Sequence, residues 1–312
     1  MAMTLLSLCA YTVFFVAQMW LNILYAVYLT LPILMTVTLI IYMWGTEKLK
    51  SKPLKLLYGL MYASSILVVP SFIFIFTGLV SQYHVTIPES IDAVAMPAEA
   101  LLPQDKTVIY NTGKVYVFFP KYSSIELVCG DRPSKSDGSI TWCSAAAFQH
   151  TVSLYFDHEN IEGDHAVNGT LYESPYNKNS FAAFVFAAGH FAFEFDSPSQ
   201  AIREAASAGG SGFMQFGLIK DGQNIMNFDR PRARCYRTLA ELNGHVCIID
   251  SVNMLHFDEF MDELSRLGVT NALYMDMGAG WNYSWYRNAA NKAVTLFGLP
   301  VPWSHNWIVF KK

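Results

Sequence analysis

Charge is scarce in this sequence and missing altogether from residues 2–44. Only 15% of the 312 residues are charged, against 53% hydrophobic, which is apolar for a soluble protein. Met1–Tyr83 hold four lysines and one glutamate, net +3, which leaves −7 for residues 84–312 out of a whole-chain −4. An acidic domain has no general attraction for phosphate backbones, so nucleic acid is excluded as a partner class. Cysteine is also sparse. There are five, and their spacing fits neither a CxxC metal site nor a redox motif. Internal repeats and low-complexity tracts are absent.

The first 83 residues are instead rich in apolar sequence. A bilayer core takes about 20 helical residues, so the charge-free run is long enough for two spans, 4–21 and 24–44, with a turn near Asn22. One long tilted helix is the alternative. A third span, 56–80, contains Pro70, which membrane helices tolerate. The Lys-rich loop Glu47–Lys55 marks the cytoplasmic side. The expectation is therefore an integral membrane protein. Residues 1–83 form a transmembrane anchor, 84–105 a linker, and 106–312 an extracytoplasmic (periplasmic, extracellular or lumenal) domain. No span carries a charge that would mark an ion path, so the spans read as a tether to the membrane.

Beyond the linker, alternation and turn signals predict strands. Thr107–Tyr110 and Lys114–Phe119 flank the turn Asn111-Thr-Gly, and Ser124–Cys129 with Ile140–Cys143 makes a hairpin. Phe181–Phe186 and His190–Phe195 form a hairpin around Ala188-Gly189, and Arg232–Arg237 with His245–Asp250 forms a third. Helices are expected over 201–208, and over 254–267, where Phe257, Phe260, Met261, Leu264 and Leu267 share a face ahead of Gly268. The fold class expected is α+β: N-terminal transmembrane helices, then one mixed, largely antiparallel sheet with a few helices. Cys129/Cys143 and Cys235/Cys247 each flank a polar turn, so two cross-strand disulfides are expected in an oxidising compartment. Buried free thiols are the alternative.

Two segments concentrate chemistry. In the first, the apolar strand Asn271–Met275 delivers Asp276 into a loop holding Gly278, Gly280, Trp281, Asn282 and Ser284. Glycines admit close backbone approach. A Trp face suits a sugar ring, and Asn and Ser suit its hydroxyls. A tight turn with aromatic packing is the bland alternative. The second is Asp157–His165, with His158 and His165 among four carboxylates. Those residues suit a divalent cation or a general acid or base, or are merely a polar loop. No cofactor is indicated outright; a divalent cation is the one candidate.

The first segment also carries a family likeness. Leu267-Gly-Val-Thr-Asn-Ala-Leu-Tyr-Met-Asp-Met-Gly278 resembles the "lG-x-x-x-A-l-x-l-D-G-G-g-S" signature of the phosphodiester glycosidase family, that of the uncovering enzyme. Upstream, Met214-Gln-Phe-Gly-Leu-Ile-Lys-Asp-Gly222 is similar to its "Q-s-G-p-l-l-v-x-d-G" stretch, and Arg232–Arg237 with Gly244–Asp250 to its "R-x-A-i-G" hairpin. Thr141–Phe148 resembles its early "N-G-g-f-F" position, with Ser144 or Ala145 in place of the Asn. Met277 replaces the signature's second glycine.

The resemblance implies a hydrolase that cleaves a sugar 1-phosphodiester or related glycan. Asp276 would be the catalytic carboxylate, with His158 and His165 as further catalytic candidates. Arg234 and Arg230 would receive the phosphate. Gln215, Ser144, Gly278, Gly280, Trp281, Asn282 and Ser284 would bind the sugar. The departures at Met277 and Ser144 motivate the alternative, a non-catalytic glycan-binding domain in envelope or exopolysaccharide assembly.

Overall fold

The computed structural model of the chain describes residues 91, 93–95, 107–151, 156–228, 232–276, 283–297 and 304–312. The chain divides into two units, Met1–His84 and Val85–Lys312; the first lies outside the described residues.

In chain order the second unit contains the following elements. The strands up to the first helix are β1 (Val94–Ala95), β2 (Val108–Asn111), β3 (Val115–Phe119), β4 (Ser124–Cys129), β5 (Ile140–Ala145), β6 (His165–Val167), β7 (Thr170–Tyr172), β8 (Phe181–Ala187) and β9 (His190–Glu194). Helix α1 (Pro198–Ser207) follows, then β10 (Ser211–Lys220), β11 (Gln223–Asn224), β12 (Arg237–Leu242) and β13 (His245–Ser251). After helix α2 (Phe257–Leu267) come β14 (Asn271–Tyr274), β15 (Ser284–Arg287), β16 (Ala293–Phe297) and β17 (Asn306–Lys311).

The strands form two sheets. The larger runs β1-β2-β3-β13-β12-β14-β10-β6-β7, with β8 and β11 also paired to β10 and β9 paired to β8. The smaller runs β16-β15-β5-β17-β4. Alternation along the central strands explains the layering. In β13, Val246 and Ile248 join one apolar layer while Cys247 and Ile249 join another. The first layer is shared by the two sheets: Phe118, Phe213, Leu239 and Leu273 from the larger meet Leu127, Trp142, Tyr286, Ile308 and Phe310 from the smaller. The second is covered by α2, whose Phe257, Phe260, Met261 and Leu264 follow the i, i+3, i+4, i+7 pattern of a one-sided helix. The Glu259 carboxylate accepts the His256 N–H at 2.9 Å at the start of α2, and Gly268, at φ +77°, ends it. α1 covers β6, β8 and β10 through Ile202 and Ala206.

Several expectations need correction. The α+β class with one mixed sheet is overturned: the described residues are mostly strand, in two sheets, with two short α-helices attached. The expected helices carried less weight because each covers only part of one sheet face. Placement as an integral membrane protein with an extracytoplasmic domain is likewise corrected. Among the described residues no helix is long and apolar enough to cross a membrane. The expected spans 4–21, 24–44 and 56–80 lie outside those residues.

The third expected hairpin is shifted. Its first strand is Arg237–Leu242, not Arg232–Arg237, because Asn243-Gly244, both at positive φ, make the two-residue turn. The hairpin expected from Ser124–Cys129 and Ile140–Cys143 does not form either, because β17 lies between β4 and β5 and pairs with both.

These two changes remove both disulfides, and the four cysteines are free thiols. Cys129 faces Asn306 while Cys143 faces Val309, which puts them two strands apart and three residues out of step. That is roughly 10 Å in each direction, against the limit of about 7 Å between Cα atoms for a disulfide. Cys247 pairs with Ala240 of β12, five residues along the chain from Cys235. We expect Cys129, Cys143, Cys235 and Cys247 all to be alkylated after unfolding without reductant, as read by peptide mass; a peptide linked through Cys129–Cys143 or Cys235–Cys247 would contradict this topology.

Candidate functional site

The segment 144–150 leaves the smaller sheet at the end of β5 and crosses to the larger one. Every second residue of it meets something of interest. Ser144 pairs across strands with Ser284 and accepts a hydrogen bond from Trp142 Nε1 at 3.1 Å. The Ala146 carbonyl accepts the Asp276 N–H at 3.2 Å, just past the end of β14, and the Gln215 Nε2 at 3.5 Å, from β10. Phe148 O accepts the Glu162 N–H, and His150 N–H donates to Asn160 O, so the segment continues alongside the turn that leads to β6.

Four expected site residues, Ser144, Gln215, Asp276 and Ser284, are thus brought together from four separate strands or strand ends. Ser144, Gln215 and Ser284 are fully buried, and Asp276 keeps 8% of its surface exposed. The Ser284 hydroxyl has no hydrogen-bond partner among the described residues, the condition in which a buried polar group most needs one.

The crossing segment is clamped from the C-terminus. The Asn306 Oδ1 accepts the Ala147 N–H at 2.7 Å, and its Nδ2 donates to the Ala147 carbonyl at 3.1 Å. One residue earlier, the His305 N–H donates to Gln149 Oε1 at 3.1 Å. No motif announces Asn306. It acts 159 residues from its partner, through a pairing of β17 with β5 that only the folded sheet creates.

The expected phosphate-binding arginines are not gathered here. Arg234 is exposed, and its backbone N–H and C=O both pair with Leu255. Arg230, Gly278, Gly280, Trp281 and Asn282 lie outside the described residues. The arginine that approaches the strand end is Arg237, whose carbonyl accepts the Met275 N–H. Its guanidinium is buried, donates through Nε and Nη2 to the two Asp250 oxygens at 2.6 Å each, and lies 5.5 Å from the Trp142 ring centroid. The sequence offered Arg237 as one more arginine of a hairpin; its cross-strand pairing with Asp250 was the missing signal.

His158 and His165 meet at the far end of the crossing segment, beyond the Gln149–Ile161 bridge. His158 Nδ1 and His165 Nε2 are 2.9 Å apart, and the two rings lie 19° from parallel. Tyr172 stacks on His158 at 3.4 Å, and Phe156 meets that ring edge-on at 4.6 Å. Burial pulls the His165 imidazole down to about 4, against the opposing effect of its hydrogen bond to the Gly163 carbonyl. Burial also lowers His158, partly offset by the nearby Asp157 carboxylate. Cys129, at the end of β4, joins this pair; burial pushes its thiol up to about 12. Three of the carboxylates expected beside these histidines hydrogen-bond or pair with other groups. Asp157 caps the 3₁₀ turn His158–Asn160, Glu162 pairs with Lys178, and Asp164 accepts from Ser174 and Asn177.

No protein-family model and no curated protein matches the chain. Among solved structures it is similar to the zebrafish N-acetylglucosamine-1-phosphodiester alpha-N-acetylglucosaminidase (NAGPA) catalytic domain auto-inhibited by pro-peptide. In that comparison 10% of residues are identical, 71% of this chain and 87% of that chain are covered, and the TM-score is 0.45. This is a distant structural likeness, and it assigns no residue a role.

Two stability effects follow from the buried polar contacts. Asn306→Ala strands both backbone groups of Ala147, at about 1–3 kcal/mol for each unsatisfied group, so its denaturation midpoint should fall markedly. Asp250→Asn sets an amide N–H₂ against one of the two Arg237 donors that now meet a carboxylate oxygen, and we expect a loss of about 1.5–3 kcal/mol by chemical denaturation.

Proposed function

We propose that the chain is a glycosidase that cleaves a sugar 1-phosphodiester, with Asp276 as its carboxylate. The observation that carries this reading is the convergence on the Ala146 carbonyl. Positions picked out by three separate stretches of family-like sequence, Ser144, Gln215 and Asp276, lie along one crossing segment, with Ser284 paired opposite Ser144.

The reaction asks little of the protein. Breaking the bond between the anomeric carbon and the phosphate oxygen expels a phosphate ester, already a good leaving group. Positive charge builds on the sugar and negative charge on the phosphate. A carboxylate beside the anomeric carbon stabilises the first or takes the proton of the attacking water. A cation stabilises the second. In this proposal Asp276 serves as the carboxylate. Arg230 is the candidate for the phosphate, and Gly278, Gly280, Trp281 and Asn282 are candidates for sugar contacts, as the family likeness implies; Arg234, which is not gathered at this strand end, has no step assigned. Gln215, Ser144 and Ser284, all fully buried, support those contacts. His158 and His165 have no step assigned in it.

The test is release of free reducing sugar from a panel of sugar 1-phosphodiesters by the full chain. Asp276→Asn should slow release by about 10²–10⁴-fold, the range for a lost acid–base group. Undiminished release would remove Asp276 from the mechanism. Saturable sugar binding by the unmodified chain without turnover would favour a glycan-binding domain instead.

A further inference from the structure

Among the described residues, Cys129, His158 and His165 form a group whose ligand atoms all lie within 4.8 Å of one another. They come from three places: the end of β4 in the smaller sheet, the 3₁₀ turn His158–Asn160, and the start of β6 in the larger sheet. We propose that these three residues form a zinc site, with solvent as the fourth ligand. The proposal is independent of the glycosidase reading.

Three features carry it. The first is distance. Around a tetrahedral zinc, with Zn–N about 2.0–2.1 Å and Zn–S about 2.3 Å, ligand atoms sit roughly 3.3–3.6 Å apart. The gap of 2.9 Å between the two ring nitrogens must widen slightly, and the sulfur need approach by at most about 1.5 Å.

The second is tautomer. His165 Nδ1 lies 3.3 Å from the Gly163 carbonyl, an acceptor only, so this contact places the proton on Nδ1 and leaves the Nε2 lone pair directed at His158. A ring N–H held by a backbone carbonyl is the usual support of a metal-ligating histidine. The third is rigidity. Tyr172, the cross-strand partner of His165, stacks on His158 with the planes 7° apart, and Phe156 closes the edge of that ring. Both imidazoles are therefore held in place before any ion arrives.

The donor set selects the ion. One thiol and two imidazoles suit zinc, whereas magnesium and calcium want oxygen ligands. The carboxylates around the histidines are engaged elsewhere: Asp164 with Ser174 and Asn177, and Glu162 with Lys178. Cys129 and His158 are only partly buried, which leaves the remaining coordination position open to water. Binding balances as follows. Cys129 gives up its thiol proton to solvent, the His158 proton moves from Nδ1 to Nε2, and His165 keeps its own on Nδ1. One proton is released per ion bound.

The experiment is titration of the metal-free full chain with Co²⁺, a spectroscopic stand-in for Zn²⁺, followed by displacement with Zn²⁺. A thiolate-to-cobalt charge-transfer band saturating at one ion per chain is expected. Cys129→Ser should abolish the band, and His158→Ala or His165→Ala should weaken binding by at least about tenfold. Cys235→Ser, at the other partly buried thiol, should leave the band unchanged. A second readout guards against misfolded variants: Zn²⁺ should raise the melting temperature of the unmodified chain but not that of His158→Ala. Absence of the band in the unmodified chain, or its persistence in Cys129→Ser, would overturn the proposal.

Discussion

The C-terminal strand Asn306–Lys311 lies between β4 and β5, which are near neighbours in sequence, and pairs with both. Much of the site depends on that insertion. Without it, β4 and β5 would be free to pair with each other, as their flanking turn suggests. With it, Asn306 reaches Ala147, His305 reaches Gln149, and the crossing segment 144–150 is fixed at one end of the two-sheet sandwich. Cys129 is separated from Cys143 and comes to lie beside two histidines instead. The smaller sheet cannot be completed until residues 306–311 are present. Such non-local pairing has a high entropic cost and slows folding.

The crossing segment connects two chemically different neighbourhoods. At its start are a carboxylate, an amide and two hydroxyls, of which the Ser284 hydroxyl is buried without a partner among the described residues. At its far end are two neutral-leaning imidazoles and a thiol in an aromatic enclosure. The first set suits recognition of hydroxyl-bearing substrate, and the second suits a soft or borderline cation. Ser144, Gln215, Ser284, Cys129 and His165 stand on strands, which holds their geometry within narrow limits, while Asp276 follows the end of β14 and His158 lies in the 3₁₀ turn. The buried Arg237–Asp250 pair joins β12 to β13, beside the strand that leads to Asp276, and its guanidinium lies against the Trp142 ring.

Short-range signals were readable because they obey local rules. The spacing of Phe257, Phe260, Met261 and Leu264, with Gly268 after them, marks α2, and the alternation of Phe191 and Phe193 beside Ala188-Gly189 marks the β8–β9 hairpin. The end of an apolar strand at Asp276 was also evident, as was the presence of two histidines in Asp157–His165. What could not be read was partnership. Nothing in the spacing of Cys129 and Cys143 reveals that a strand from the other end of the chain separates them. Asn243-Gly244 moved the third hairpin by several residues, and with it the neighbours of Cys235 and Arg237.

Sequence by itself determined which residue types are present, which stretches favour strand, turn or helix, and that the domain is acidic. Those properties depend on a residue and its near neighbours along the chain. Tertiary structure alone decided that there are two sheets, that Ala146 gathers Asp276 and Gln215, and that Cys129 faces histidines rather than a second thiol. Each of these rests on strands far apart in sequence sharing an apolar layer, and burial of that layer is non-directional. It drives the strands together without specifying which of them become neighbours; backbone pairing and side-chain fit make that choice.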